Sequence, residues 1–262
     1  MGRLKNKTAI ITGGTKGIGL AAAELFIKEG ANVVICGRGG SDDGAALAAK
    51  LGANCRFFAL NVSDYKNWKE CIDHTLNEFG KLDILINNAG ISVAENIEQA
   101  TPESYDRIID VNQKGVFYGM KLAIEAMKKN PSSTDFEHTC AIVNTASIDG
   151  VVGDPIYFAY AASKAAVEAM TKCAALYCGE QKLAIRVNAV APGYIMTPMA
   201  VQDAAEKGMT IEQYETEMAV DHPIGHLGKA DDVARAYLYL ASDDASFVTG
   251  TTLMVDGGYT AK

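Results

Sequence analysis

Thr8-Ala9-Ile10-Ile11-Thr12-Gly13-Gly14-Thr15-Lys16-Gly17-Ile18-Gly19 runs from an apolar β-branched stretch through a glycine-rich loop into a helix. That order is the first turn of a β-α-β unit. Glycines there let the backbone turn tightly and approach a pyrophosphate closely. The helix N-terminus that follows favours negative charge. A literal G-x-G-x-x-A also falls at Gly17, Gly19 and Ala22. A purely structural turn has the same composition. Its place at the first strand-to-helix junction is what points to a bound phosphate.

Outward from this loop the alternation continues. The first strand is Thr8–Thr12, and the helix Gly17–Glu29 is closed by Gly30. Strands are expected at 32–36, 55–60, 83–86, 140–144, 184–190 and 251–255. Between them, helices are expected at 41–51 with Ser41 as N-cap, 65–79 ended by Gly80, 102–127 with a break near Val111, 157–181 and 231–241. Strands alternating with helices imply a parallel sheet covered on both faces, joined by right-handed crossovers. Such strands are apolar throughout, as Ile84-Leu85-Ile86 and Ile142-Val143 are. No linker divides the chain and no period of repeats appears. The expected fold is therefore α/β: a single Rossmann-like domain over residues 1–262, a doubly wound parallel sheet with helices on both faces. Two stretches stand outside the pattern. Residues 130–139 read as a polar surface loop, and 197–228 as a lid with a helical piece near 210–219.

Composition excludes several classes. Hydrophobic residues make up 48% and charged residues 21%, ordinary for a globular chain. The formal net charge of −8 and the lack of a basic run argue against nucleic acid or an anionic membrane as partner. No segment is long and apolar enough to span a bilayer, and the start lacks a signal-peptide core. The six cysteines form no C-x-x-C pair and read as reduced core thiols. With four scattered histidines, no metal site is expected. Pro223 and Gly225 break any helix that would align His222 with His226. The chain is read as cytoplasmic.

Tyr160-Ala-Ala-Ser-Lys164 carries the chemistry. A tyrosine and a lysine four apart share one face of a helix. A free phenol has a pKa of about 10, and a fixed positive charge nearby lowers it. The pair is then a proton donor and acceptor usable near neutrality. Ser147, thirteen residues upstream at a strand end, can hold a carbonyl or alcohol oxygen against the phenol. Tyr157 has Ala161 as its i+4 neighbour and so lacks the lysine. Ribose specificity is read at the end of the second strand, where an acid selects the NAD 2′-hydroxyl and arginine accommodates the NADP 2′-phosphate. Here Gly37-Arg38 comes with no acid before Asp42, and Lys16 adds a second cation. Both favour NADP(H).

Taken together these residues resemble the classical short-chain dehydrogenase/reductase family over nearly the whole chain. The ordered motifs are Thr12–Gly19, Asn87-Asn88-Ala89-Gly90, Asn112, Ser147, Tyr160-Ala-Ala-Ser-Lys164 and Pro192-Gly193. The resemblance implies a seven-stranded sheet in the order 3-2-1-4-5-6-7. It also implies roles. Tyr160 is the acid/base, Lys164 lowers its pKa and holds the nicotinamide ribose, and Ser147 fixes the substrate oxygen. Asn112 holds a water that links Lys164 to solvent. Gly13, Thr15, Lys16, Gly17, Ile18 and Gly19 cradle the pyrophosphate, with Arg38 at the ribose phosphate. Asn61 and Val62 lie near the adenine. Asn88, Ala89 and Gly90 border the cofactor, and Pro192, Gly193, Ile195 and Thr197 meet its nicotinamide end. Two positions depart from the pattern. Asn61 stands where aspartate is common, and its amide oxygen is expected to accept from the adenine amino group. Gly14 stands where alanine or serine is commoner, read as a conservative change.

Within the family, Gly153-Asp154-Pro155, Pro192-Gly-Tyr-Ile195 and the ending from Asp256 resemble bacterial NADP-dependent (R)-specific alcohol dehydrogenases. That likeness implies a homotetramer built on the two helices at 111–127 and 157–178, the second rich in alanine. It also implies a magnesium ion near the C-terminus. The longer 197–228 segment and the final Lys262 depart from that group, so no metal is assigned. The substrate is expected to be a small-molecule carbonyl or alcohol, a hydrophobic ketone or hydroxysteroid. It would meet Ser147, Asp149, Tyr160, Tyr194 and Met199, with adaptable methionines in the lid. The competing substrates are a 3-oxoacyl carrier-protein and a sugar or polyol. The competing class is a catalytically silent dinucleotide-binding redox sensor, which would ordinarily lack the Tyr or the Lys that this chain keeps.

Overall fold

A computed structural model describes residues 2–39, 43–130, 134 and 138–261. The strands are β1 Thr8–Thr12, β2 Asn32–Gly37, β3 Cys55–Ala59, β4 Ile84–Asn87, β5 Cys140–Thr145, β6 Ile185–Pro192, β7 Ile195–Met196, β8 Gly228–Lys229 and β9 Thr252–Val255. The helices are α1 Gly17–Lys28, α2 Gly44–Leu51, α3 Tyr65–Phe79, α4 Pro102–Ile109, α5 Gly115–Met127, α6 Phe158–Glu180, α7 Pro198–Glu206, α8 Ile211–Ala219 and α9 Ala230–Ala241. The main sheet has seven strands in the order β3-β2-β1-β4-β5-β6-β9, all parallel. This is the expected doubly wound, Rossmann-like order. Its last strand is ninth in the chain because β7 and β8 pair separately as a short ribbon.

The apolar runs explain the layering. Strands β1, β4, β5 and β6 are buried at every residue, whereas the edge strands β3 and β9 are only partly covered. One core packs Trp68, Leu122, Met127 and Val167 against one sheet face. The other packs Phe26, Val233, Tyr237 and Leu240 against the opposite face. Two such layers on a parallel sheet leave its strand ends open for function.

Local signals set the helix ends. Asp64 accepts from Lys66 N at 2.8 Å and Asn67 N at 3.2 Å to start α3, and Gly80, left-handed at φ 77, stops it. Thr101 and Ser104 form a capping box at α4, with Pro102 at its first position. Ser41, the expected cap of the second helix, lies outside the described residues. The cap on α2 is Asp43, which accepts from Ala46 N at 3.0 Å. The break expected near Val111 is a π-helical turn, Asp110–Lys114, between α4 and α5. Such turns recur at functional sites.

The 197–228 segment holds more structure than expected. Besides α8 at the foreseen position, α7 opens on Thr197, whose hydroxyl accepts from Ala200 N at 3.4 Å. Ala200, Ala204, Tyr214 and Leu227 make a small core of their own there. Among the described residues no helix is long and apolar enough to cross a membrane.

Candidate active site

The expected residues lie at the C-terminal ends of β1 to β6, in the π-helical turn (Asn112) and on α6 (Tyr160 and Lys164), and the glycine loop is the tightest part. Gly13 and Gly17 adopt φ 65 and φ 54, the left-handed region that favours glycine. A Cβ on Gly19 would sit 2.2 Å from the Gly13 carbonyl oxygen and 2.7 Å from Asn88 Nδ2. Gly14 is not the conservative change expected. Its Cβ would lie 2.9 Å from Ile11 O and 3.0 Å from Ile35 Cβ, because the loop bonds to β2 through Gly14 N and Cys36 O at 3.0 Å. Thr15 sits over Gly37, with Cγ2 3.0 Å from where a Cβ would be. Ile18 packs inward beneath the loop.

Asn88 clamps the loop. Its Nδ2 donates to Thr12 O at 2.9 Å and to Gly13 O at 3.4 Å. The Thr12 hydroxyl accepts from Asn88 N and Ala89 N, both at 2.9 Å. Tyr237, on α9, donates to Asn88 Oδ1 at 3.3 Å and lies 2.7 Å from Thr145 Oγ1. Thr12 was legible only as part of the glycine motif. Thr145 and Tyr237 had no local signal at all.

This cradle fits a dinucleotide. The first turn of α1 has no acidic residue and no side-chain cap on Lys16, so its N–H groups face outward without a competing anion. Lys16 and Arg38 are exposed, and neither engages a carboxylate among the described residues. Val62 is buried against Gly115, and its carbonyl accepts from Trp68 Nε1 at 3.0 Å. Asn61 differs from expectation. Its amide oxygen already accepts from Ser63 N at 3.2 Å and Ser63 Oγ at 2.8 Å. Both lone pairs are spent locally, so what Asn61 offers an adenine is its NH2 group.

Gly90, Asn112 and Lys164 converge. A Cβ on Gly90 would lie 3.4 Å from Asn112 Oδ1 and 3.6 Å from Lys164 Nζ. Asn112 is fully buried in the π-helical turn. Its Oδ1 accepts from Ile91 N at 2.9 Å, and its Nδ2 donates to Ile91 O at 2.8 Å and Ser163 Oγ at 3.1 Å. The Lys164 ammonium is buried, donates to Thr145 O at 2.7 Å, and lies 5.5 Å from the Tyr160 ring centroid. Ser147 caps a short 3-10 turn by accepting from Asp149 N at 3.2 Å, and its hydroxyl donates to Asp149 Oδ2 at 3.4 Å.

Burial pushes the Tyr160 phenol up, Asp149 pushes it further, and the Ser147 hydroxyl pulls it back. Desolvation presses the Lys164 ammonium down to about 8, against a smaller upward push from Asp149. Burial also raises Asp149 to about 6, aided by Asp154 and Asp203 and opposed by Ser147 and Lys164. The half-buried phenol is thus held protonated, the form that can donate to a developing alkoxide.

The far wall is built from residues 193–228. A Cβ on Gly193 would meet His222 Nε2 at 2.9 Å. His222 is buried between Tyr194 N, 3.3 Å from its Nε2, and Met218 O, 2.8 Å from its Nδ1. Pro192 ends β6, Ile195 lies buried in β7, and Thr197 and Pro198 approach Gly17 across the cleft. Met196, Met209 and Met218 pack into the small core beneath α7 and α8. Met199 alone of this group is markedly exposed, at 45%, and Val151 and Ile156 after Ser147 are 50% and 41% exposed.

Comparison with known proteins agrees with this geometry. A family model described as enoyl-(acyl carrier protein) reductase matches residues 13–260. An NADP-dependent (R)-specific alcohol dehydrogenase from Lentilactobacillus kefiri is 43% identical over 99% of both chains. A cyclopentanol dehydrogenase from Comamonas testosteroni is 37% identical over 100% of both. The solved aldohexose dehydrogenase of Thermoplasma acidophilum superposes with a TM-score of 0.87 at 34% identity, covering 100% of this chain and 96% of that one. A nicotinamide dinucleotide is the cofactor typical of such enzymes, and the cradle fits one. The chain therefore belongs to the short-chain dehydrogenase/reductase family, as a dehydrogenase acting on the CH–OH groups of secondary alcohols and their ketones.

Proposed function

We propose that this protein is an NADP(H)-dependent oxidoreductase that interconverts a hydrophobic ketone or hydroxysteroid with its secondary alcohol. The observation that supports the reading is Lys164 lying beside Tyr160, Gly90 and Asn112, with the Ser147 hydroxyl acting on the Tyr160 phenol. When bound, the cofactor supplies or accepts the hydride. Ser147 turns its hydroxyl from Asp149 to the substrate oxygen. Tyr160 donates its proton to that oxygen in reduction and takes it back in oxidation. Lys164, charged below about 8, stabilises the phenolate left behind. The Asn112 side chain is committed to Ile91 and Ser163, so a relay water would bond to its main-chain carbonyl.

Lys16 and Arg38 support NADP over NAD, in line with the name of the Lentilactobacillus relative. Residues 197–228 act as the lid. The exposed apolar groups Val151, Ile156 and Met199 support a hydrophobic substrate beside Tyr194. A sugar or polyol is the second reading, favoured by the Asp149 carboxylate next to Ser147, which can accept from a neighbouring substrate hydroxyl. A homotetramer in the cytoplasm completes the proposal. It rests on the exposed Phe117 of α5 and Leu176 and Tyr177 of α6, and light scattering tests it.

A panel of cyclic ketones, ketosteroids, aldoses and 3-oxoacyl thioesters, each assayed with NADPH and with NADH, tests the reading. The expected result is fastest turnover of a hydrophobic ketone with NADPH. Preference for NADH overturns the cofactor assignment, and preference for an aldose moves the assignment to the second reading.

A further inference from the structure

Asp203 lies on α7, in the proposed lid, and takes donors from three places. Tyr157 Oη donates to its Oδ1 at 2.5 Å, Tyr214 Oη to its Oδ2 at 2.8 Å, and Lys207 Nζ to the same oxygen at 3.0 Å. Tyr214 belongs to α8 and Lys207 follows one turn after Asp203, so these two bonds lie within the lid. Tyr157 does not. It precedes α6, on the wall that carries Tyr160, and that wall is tied to the strand-end loop through Phe158 N and Glu95 O at 3.2 Å. The cluster is sheltered: the Asp203 side chain is 15% exposed and that of Lys207 24%. The Lys207 ammonium lies 5.7 Å from the Tyr157 ring centroid and 5.5 Å from that of Tyr214. The Tyr157 ring in turn stands edge-on to Tyr160, centroids 6.3 Å apart at 65°. Desolvation and the bond to Asp203 both hold the Tyr157 phenol protonated, so it stays a donor at any working pH.

We propose that Asp203 is a positioning residue: it clasps Tyr157 to hold the lid against the catalytic wall, and the Tyr157 ring braces Tyr160. Charge-assisted bonds in sheltered sites are the strong ones, so breaking this one changes the closed-lid population. The inference rests on the reading of Tyr160 as proton donor. Two substitutions separate its two parts. Tyr157→Phe keeps the brace and removes the clasp. Tyr157→Ala removes both.

Steady-state kinetics of the full chain with NADPH and the best ketone of the panel tests this, with thermal unfolding as the check on folding. Tyr157→Phe and Asp203→Ala are each expected to raise the ketone KM about tenfold, with kcat within about twofold of wild type. The double variant is expected to be no worse than Asp203→Ala alone, because that substitution already breaks the one bond that Tyr157→Phe removes. Tyr157→Ala is expected to lower kcat about tenfold as well. Tyr214→Phe, which loses a bond inside the lid only, is expected to change KM less than about twofold. An unchanged KM in folded Tyr157→Phe, or additive effects in the double variant, overturns the clasp. An unchanged kcat in folded Tyr157→Ala overturns the brace. Wild type that turns over no ketone contradicts the functional reading instead, so the two failures are distinguishable.

Discussion

The two walls of the cleft are specified in different ways. The cofactor wall is written in backbone stereochemistry. Gly13 and Gly17 need positive φ, and Gly14 and Gly19 have no room for a side chain. The substrate wall is written in side-chain pairs far apart in sequence. Tyr157 reaches Asp203 across 46 residues, and His222 reaches Tyr194 across 28. A glycine requirement is local and tolerates no substitute, so it stays visible in a string of residues. A pairwise contact can be built from many residue types and becomes visible only when the chain is folded.

The sharpest way to break this contrast is Gly19→Val. Its Cβ would fall 2.2 Å from a backbone oxygen, so overpacking costs about 3 kcal/mol, read as a loss of NADPH affinity of about a hundredfold by fluorescence titration. Near-normal affinity would mean the loop is not stereochemically set.

Asp149→Asn probes the substrate side next. Burial raises this carboxyl from 3.8 to about 6, so the folded chain binds its proton more tightly than the unfolded chain. Stability is then lost as pH rises from about 4 through about 6, and removing the charge regains on the order of 2 kcal/mol at pH 7. Urea unfolding at pH 4.5 and pH 7 measures it, and an unchanged pH slope contradicts the argument. The same variant removes the anion that raises Lys164, so the fall in reductase activity above about 8 is expected to move to lower pH.

Arg38→Leu is expected to weaken NADPH by about tenfold and leave NADH within about twofold, the size of one lost charged hydrogen bond. Equal losses for both cofactors would place Arg38 away from the 2′-phosphate. Gly153→Ala completes the contrast as the smallest effect. Among the described residues, none but its chain neighbours comes within 4 Å of the added Cβ, so stability should change by less than about 0.5 kcal/mol.

The sheet and its strand order were legible because parallel strands buried on both faces read as continuous apolar runs. The break near Val111 was legible too, although not its π-helical form. What was not legible follows from long-range pairing. Tyr157 looked inert because its helix neighbour is Ala161, while its partner lies in another element. Tyr237 supports Asn88 from 149 residues away, with nothing local to mark it. The lid methionines Met196, Met199 and Met218 read equally as a substrate wall or as packing for the lid helix; Met196 and Met218 pack the segment's own core, and Met199 is exposed. Asn61 reads as an acceptor for adenine, yet Ser63 occupies its oxygen. Helix spacing places Lys164 beside Tyr160 but does not show that the ammonium is buried while the phenol is half-exposed.

Tyr160→Phe tests the central claim most directly, because it removes one hydroxyl and leaves both walls in place. Cofactor affinity by fluorescence titration and ketone reduction should be measured on the same preparation. The account predicts NADPH binding within about twofold of wild type and turnover lower by about a thousandfold. Turnover above about a tenth of wild type would contradict Tyr160 as the proton donor.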